Sequence, residues 1–236
     1  MQNRYAGDIG DYIKFSLLRQ LSAGKKLGIA WYLYPDENHN ADGKHTSYLS
    51  APEKWRHLDP DLFDILVKVV ASTRSISALQ TSGALDAIYA EEPLATAELP
   101  ANKRSGFRTR WFEETLRTVQ PCDLVFADPD NGIVNNDERR CRQKAYGKQM
   151  PLSEVMALAD NRAAIVYHHN TRFKGGHDRE VSHWLEQLGP KAIAVRANAF
   201  SCRTFFLINP DLVLVRRAIS FCDKWADHKV KLHTSH

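Results

Sequence analysis

What this chain lacks narrows its class before any motif is read. It holds four cysteines in 236 residues, Cys122, Cys141, Cys202 and Cys222, with no Cys-x-x-Cys pair. Zinc-ligand spacing is therefore missing, and so sparse a set makes no disulfide framework. Cys122, Cys202 and Cys222 lie in or beside apolar segments and read as inert core thiols. Cys141 stands among Arg139, Arg140 and Arg142, cations that lower a thiol pKa, although a plain surface-loop position explains it equally. No uninterrupted apolar run approaches the roughly 18 residues of a membrane-spanning helix. The first eight residues contain no apolar stretch of the signal-peptide kind, so a cytoplasmic protein is expected. Internal repeats and low-complexity segments are absent too. The charge excess is small, +4, which permits a nucleic-acid or phosphate partner without demanding one.

What remains is ordinary globular composition, 43% hydrophobic and 25% charged, at a length suited to one large α/β domain over 1–236. Residues 13–21 show apolar positions at helical spacing and end before Gly24. An apolar, aromatic run over 27–34 reads as the first strand, followed by a polar loop at 35–47. Residues 59–70 read as a helix with Pro60 at its first position. Short strands are expected at 75–79 and 87–89, and an irregular surface excursion at 91–105. A helix over 108–119 leads into a strand at 124–127. Residues 135–150 read as a long charged loop, and 151–158 as a helix. A strand at 163–167, a helix at 178–188, strands at 192–195 and 202–208, and a last strand or helix within 212–226 complete the chain. This alternation predicts a Rossmann-like, doubly wound, mostly parallel sheet with helices on both faces.

The most informative stretch is Leu124-Val125-Phe126-Ala127 running into Asp128-Pro129-Asp130-Asn131-Gly132. An apolar run without alternation is a strand buried on both faces. Pro129 and Gly132 force a turn, which puts Asp128 and Asp130 just past the carboxyl end of that strand, where open α/β sheets bind ligands. Two other strand ends carry polar clusters, Tyr34-Pro35-Asp36 and His168-His169-Asn170. If the strands are parallel neighbours, all three clusters converge on one edge. The amino-terminal Tyr5-Ala6-Gly7-Asp8-Ile9-Gly10-Asp11-Tyr12-Ile13-Lys14 is dense in Gly, Asp and Tyr and runs into a helix starting near Asp11, a natural N-cap. Capping and tight turns explain it. So does a ligand that needs the close backbone approach of glycine and the fixed cation of Lys14.

These patches resemble the bacterial 23S ribosomal RNA adenine-N6 methyltransferase J family, of the class I, Rossmann-like methyltransferase fold. That family opens with a Gly-Asn-His-Ala-Asp-x-x-Lys stretch leading into a helix, similar to Gly7 through Lys14. Its catalytic strand ends in Asp-Pro-Pro-Tyr, similar to Asp128-Pro129-Asp130-Asn131, and a late apolar strand ends in Asn-Pro-Pro, similar to Asn209-Pro210. More closely, the chain resembles uncharacterised bacterial proteins with an Asp-Pro-Asp-(Asn/Thr)-Gly motif. The methyltransferase resemblance implies S-adenosylmethionine as cofactor, with Asp128 as the catalytic acceptor, Lys14 holding the cofactor carboxylate and Asp36 capping its site. Gly7, Asp8 and Asp11 belong to the same amino-terminal patch, and the converging strand ends add Asp130, Asn131, His168 and His169 as candidates at the reacting centre. Here Asp130 replaces the second proline, and Asn131 replaces the aromatic on which an extruded base stacks.

Two other functions fit the sequence. A hydrolase or nuclease would use Asp36, Asp128, Asp130, His168 and His169 to hold Mg2+ or Mn2+ and activate water. A nucleic-acid-binding module without catalysis would use Arg139, Arg140, Arg142, Lys144 and Lys148, with Tyr146 interleaved, together with Arg172 and Lys174.

Overall fold

The structure, a computed structural model, describes residues 1–37, 43 and 45–233. The middle of the polar loop expected at 35–47 lies outside the described residues. In chain order the elements are α1 (Ile9–Ser22), β1 (Leu27–Ala30), α2 (Pro52–Trp55), α3 (Pro60–Ala71), α4 (Ile76–Thr81), β2 (Ala87–Ala90), α5 (Ala101–Thr118), β3 (Leu124–Ala127), β4 (Gly132–Val134), β5 (Gln149–Pro151), α6 (Leu152–Leu158), β6 (Ala163–His169), α7 (Gly176–Leu188), β7 (Ile193–Ala197), β8 (Arg203–Ile208), α8 (Leu212–Lys224) and β9 (Val230–Leu232).

Seven of the strands form one sheet in the order β2-β1-β3-β6-β8-β7-β9. β2, β1, β3 and β6 are parallel neighbours. β8 is antiparallel to both β6 and β7, and β9 is antiparallel to β7. β4 and β5 make a separate parallel pair beside the sheet. Along β3 every residue is buried, and successive side chains enter opposite cores. Leu124 and Phe126 join the core built with α1, α3 and α8, while Val125 and Ala127 join the one built with α5, α6 and α7. Covering both faces removes the need for alternation, which is why the run reads as continuously apolar. The fold is therefore Rossmann-like α/β.

Several elements differ from expectation for identifiable reasons. Residues 76–79 belong to a helix, with Ser75 as its N-cap. The Ser75 side chain accepts the Ala78 backbone N–H, and Ile76 and Leu79, three apart, reach the core. The first strand ends at Ala30, beyond which Trp31 N–H still donates to Ala90 O and Leu94 N–H to Leu33 O. The excursion expected at 91–105 contains the start of α5. Its inner face there carries the buried Arg104, so apolar periodicity is missing although the helix is present. The charged loop at 135–150 is anchored rather than loose, because Gln149–Pro151 pairs with Gly132–Val134. Residues 212–224 are helical, capped by the Asp211 side chain on the Leu214 N–H. The helix after the amino-terminal segment begins at Ile9, and its N-cap is Asp8, not Asp11. No helix among the described residues is long and apolar enough to cross a membrane.

Candidate functional site

The carboxyl edge of β3 and β6 receives residues from three places. The Asp128 side chain leaves the end of β3. α1 lies against this edge and contributes Lys14. Because β8 runs in reverse, its first residue, Arg203, pairs with His169 at the end of β6 and so reaches the same edge. Between them lies a cleft of about 220 Å³ bordered by Asp8, Asp11, Lys14, Asp128, Asp130, Asn131, Tyr167, His169 and Arg203.

Lys14 is the electrostatic centre of the cleft floor. Its Nζ is 2.8 Å from Asp11 Oδ1 and 2.7 Å from Asp128 Oδ2, and all three residues are buried. Burial disfavours the ammonium, but Asp11 and Asp128 outweigh it and hold the Lys14 pKa above that of an ordinary lysine. Burial likewise pushes the Asp128 and Asp11 carboxyls above the usual range, with Lys14 opposing it. Asp11 Oδ2 also accepts the Gly7 N–H at 2.9 Å, where Gly7 adopts φ +73°. Gly7 therefore shapes the turn without bordering the cleft.

Asp130 is committed to the amino terminus. The Met1 ammonium is 2.6 Å from Asp130 Oδ1, and it also donates to the carbonyls of Tyr32 (2.7 Å) and Asp128 (3.1 Å). Gln2 Nε2 donates to Asp130 Oδ2 at 2.6 Å. Asp36 does not reach the cleft at all. It is exposed and accepts the backbone N–H and side-chain amide of Asn3 at 2.8 and 2.9 Å, a clasp on the amino-terminal turn.

The two histidines part company. His168 points into the core, 1% exposed, between Trp184 and Phe206. Its Nδ1 accepts the Ile133 N–H at 3.0 Å, which leaves Nε2 as the donor towards Glu180 Oε1 at 3.2 Å. Glu180 also collects the Asn170 amide and both the N–H and hydroxyl of Thr171. Burial would raise its pKa, but these donors prevail and pull it down to about 2. His168 and Asn170 thus fix the end of β6 against α7. His169 is exposed and borders both the cleft and a neighbouring groove, and Asn131 borders the same two spaces.

The basic stretch is partly neutralised. Lys148 pairs with Glu37, and Arg140 Nε lies 3.8 Å from Asp137 Oδ2. Arg139, Arg142, Lys144, Arg172 and Lys174 are exposed. Arg108 holds this stretch to α5. It forms a two-pronged ion pair with Glu154 (2.7 and 2.9 Å), donates to the carbonyls of Tyr146 and Gln149, and stacks 4.3 Å from the Tyr146 ring centre.

The metal-ligand set Asp36, Asp128, Asp130, His168 and His169 is not assembled. Two of its carboxylates face ammonium groups, one imidazole faces Glu180, and Asp36 lies outside. Among the described residues no group of three or more His, Cys, Asp or Glu side chains is placed to hold a metal ion. Arg203, Glu180 and Arg108 were not singled out by sequence. Arg203 carries a recognisable signal, a charge opening an otherwise apolar strand; Glu180 and Arg108 look like solvent-facing helix charges and carry none. No protein-family model and no curated protein matches the chain.

Proposed function

We propose that the cleft is an S-adenosylmethionine site in a methyltransferase-like protein that acts on or binds nucleic acid. The observation that carries this reading is the buried Lys14–Asp128 ion pair. It joins the Gly- and Asp-rich amino-terminal segment to the Asp-Pro strand end, 114 positions away, in one cleft. Those are two of the patches on which the methyltransferase resemblance rests. The donor set also suits this cofactor. The cleft offers cations, Lys14 and Arg203, together with carboxylates, Asp8, Asp11 and Asp128, and the amino-acid end of S-adenosylmethionine carries both an ammonium and a carboxylate. When bound, the cofactor supplies an electrophilic methyl group.

Under this reading Asp128 accepts a hydrogen bond from the group to be methylated, and Lys14 fixes the orientation of that carboxylate. Asn131 and His169, at the rim, meet the incoming substrate, with Asn131 hydrogen-bonding where an aromatic residue would stack. Arg139, Arg142, Lys144, Arg172 and Lys174 supply exposed cations for a phosphate backbone.

Isothermal titration of the full chain tests the reading, with S-adenosylmethionine, Mg2+ and Mn2+ as titrants and Asp128→Asn as the control variant. Saturable heat with S-adenosylmethionine alone is expected. Metal binding that disappears in both Asp128→Asn and Asp130→Asn would favour the hydrolase function instead. Silence with all three, alongside retained binding to RNA or DNA oligonucleotides, would leave a nucleic-acid-binding module.

A further inference from the structure

Arg203 opens β8 and is 3% exposed, yet its guanidinium is under-used. One nitrogen donates to Ser201 Oγ. Its Nε and Nη1 atoms are buried and have no acceptor among the described residues. A guanidinium cannot shed its charge at any ordinary pH, so burying it with unmet donors is costly. Such a group persists where a ligand completes it. Arg203 borders the cleft, and a methyl group on Gly10 would sit 2.9 Å from its Nη1 and 2.9 Å from Asp8 Oδ1. Bare backbone at Gly10 therefore keeps a cation and a carboxylate open to the same space. Asp8 is 7% exposed, and its Oδ1 caps α1 through the Asp11 N–H at 3.0 Å while its charge has no cationic side chain in ion-pair contact among the described residues.

We propose that Arg203 and Asp8 form a clamp for a zwitterionic α-amino-acid group, with Arg203 receiving the carboxylate and Asp8 the ammonium. A simple anion at Arg203 would meet the neighbouring Asp8 carboxylate, and a simple cation at Asp8 would meet the Arg203 guanidinium. A ligand bearing both charges on neighbouring atoms satisfies both sides. The clamp rests on the S-adenosylmethionine reading only for the identity of the rest of the ligand.

The test is calorimetry on the full chain with four probes, S-adenosylhomocysteine, 5′-methylthioadenosine, L-methionine and inorganic phosphate, against wild type, Arg203→Met and Asp8→Asn. Asparagine caps a helix as well as aspartate does, so the second variant removes charge and keeps the cap. S-adenosylhomocysteine affinity is expected to fall about 10- to 100-fold in each variant, the loss typical of a charge-assisted hydrogen bond. Affinity for 5′-methylthioadenosine, which lacks the amino-acid end, is expected to stay unchanged. The thermal midpoint of Arg203→Met should equal or exceed that of wild type, because an unmatched buried charge is removed. A structural arginine would lower it. Equal S-adenosylhomocysteine affinity in wild type and Arg203→Met overturns the clamp and leaves the cofactor reading standing. Arg203-dependent binding of L-methionine without either nucleoside keeps the clamp and removes that reading. Arg203-dependent binding of phosphate alone overturns the amino-acid assignment, and silence with every probe overturns both.

Discussion

Lys14 shows how one side chain can hold a site together at the cost of a buried charge. Replacing it with Met leaves Asp11 and Asp128 facing each other without a cation, so Lys14→Met is expected to lose about 3–5 kcal/mol, read by urea denaturation. Glu180 gives a pH signature. Its carboxyl falls from an ordinary value of 4.5 when unfolded to about 2 when folded. A depressed carboxyl stabilises the fold above the unfolded value, and that contribution disappears as pH falls from about 4.5 towards 2. It amounts to about 3 kcal/mol at neutral pH. Glu180→Gln should flatten the acid limb of the stability–pH curve between those values, and an unchanged limb would refute the assignment. At this scale the sequence was half legible. Asp128 and Lys14 announce themselves through a turn and a glycine-rich run, whereas Asp130 looked like a ligand because nothing local reveals that Met1 and Gln2 claim it.

Among elements, the clearest test is Gly132, which starts β4 at φ +85° with the His168 ring against its Cα. Gly132→Ala imposes a strained backbone and a collision with that ring, so it should cost about 2 kcal/mol or more and loosen the Ile133–His168 hydrogen bond. Proton chemical shifts of the His168 ring would report the second effect. Arg108 makes the complementary case. Arg108→Ala should free the 144–154 segment from α5, seen as faster limited tryptic cleavage after Lys144 and Lys148 at unchanged temperature. Arg104, one turn earlier on the same face, explains why α5 extends further than its apolar periodicity indicates. Helix detection by apolar periodicity fails where the buried face is built from guanidinium stems, whose methylenes fill the core while their heads serve backbone carbonyls. Capping decides the outcome just as firmly at Ser75, which opens a helix in a segment expected to be a short strand.

For the whole molecule, the fold class was legible because buried parallel strands and intervening helices leave compositional traces that no loop can imitate. Strand order was not, since pairing partners are set by contacts far apart in sequence. The reversal of β8 is invisible in its residues and is also what brings Arg203 to the cleft. The surface carries a last prediction. If nucleic acid binds the exposed cations, affinity should fall steeply with salt, and each of Arg142→Ala and Lys144→Ala should reduce the slope of log affinity against log salt by roughly 1. An unchanged slope in both would place the partner elsewhere.

The insertion of β8 between β6 and β7 also dictates an order of assembly. Among the described residues β7 finds its ladder partners in β8 and β9, both of which follow it in the chain. A nascent polypeptide that has just left the ribosome up to Ala197 therefore carries β7 with nothing to pair with and β6 with one open flank. Those edges stay exposed until the last segment arrives. Premature termination anywhere before Ile208 would thus release a sticky half-sheet rather than a smaller folded protein, and quality control should meet it as an aggregate.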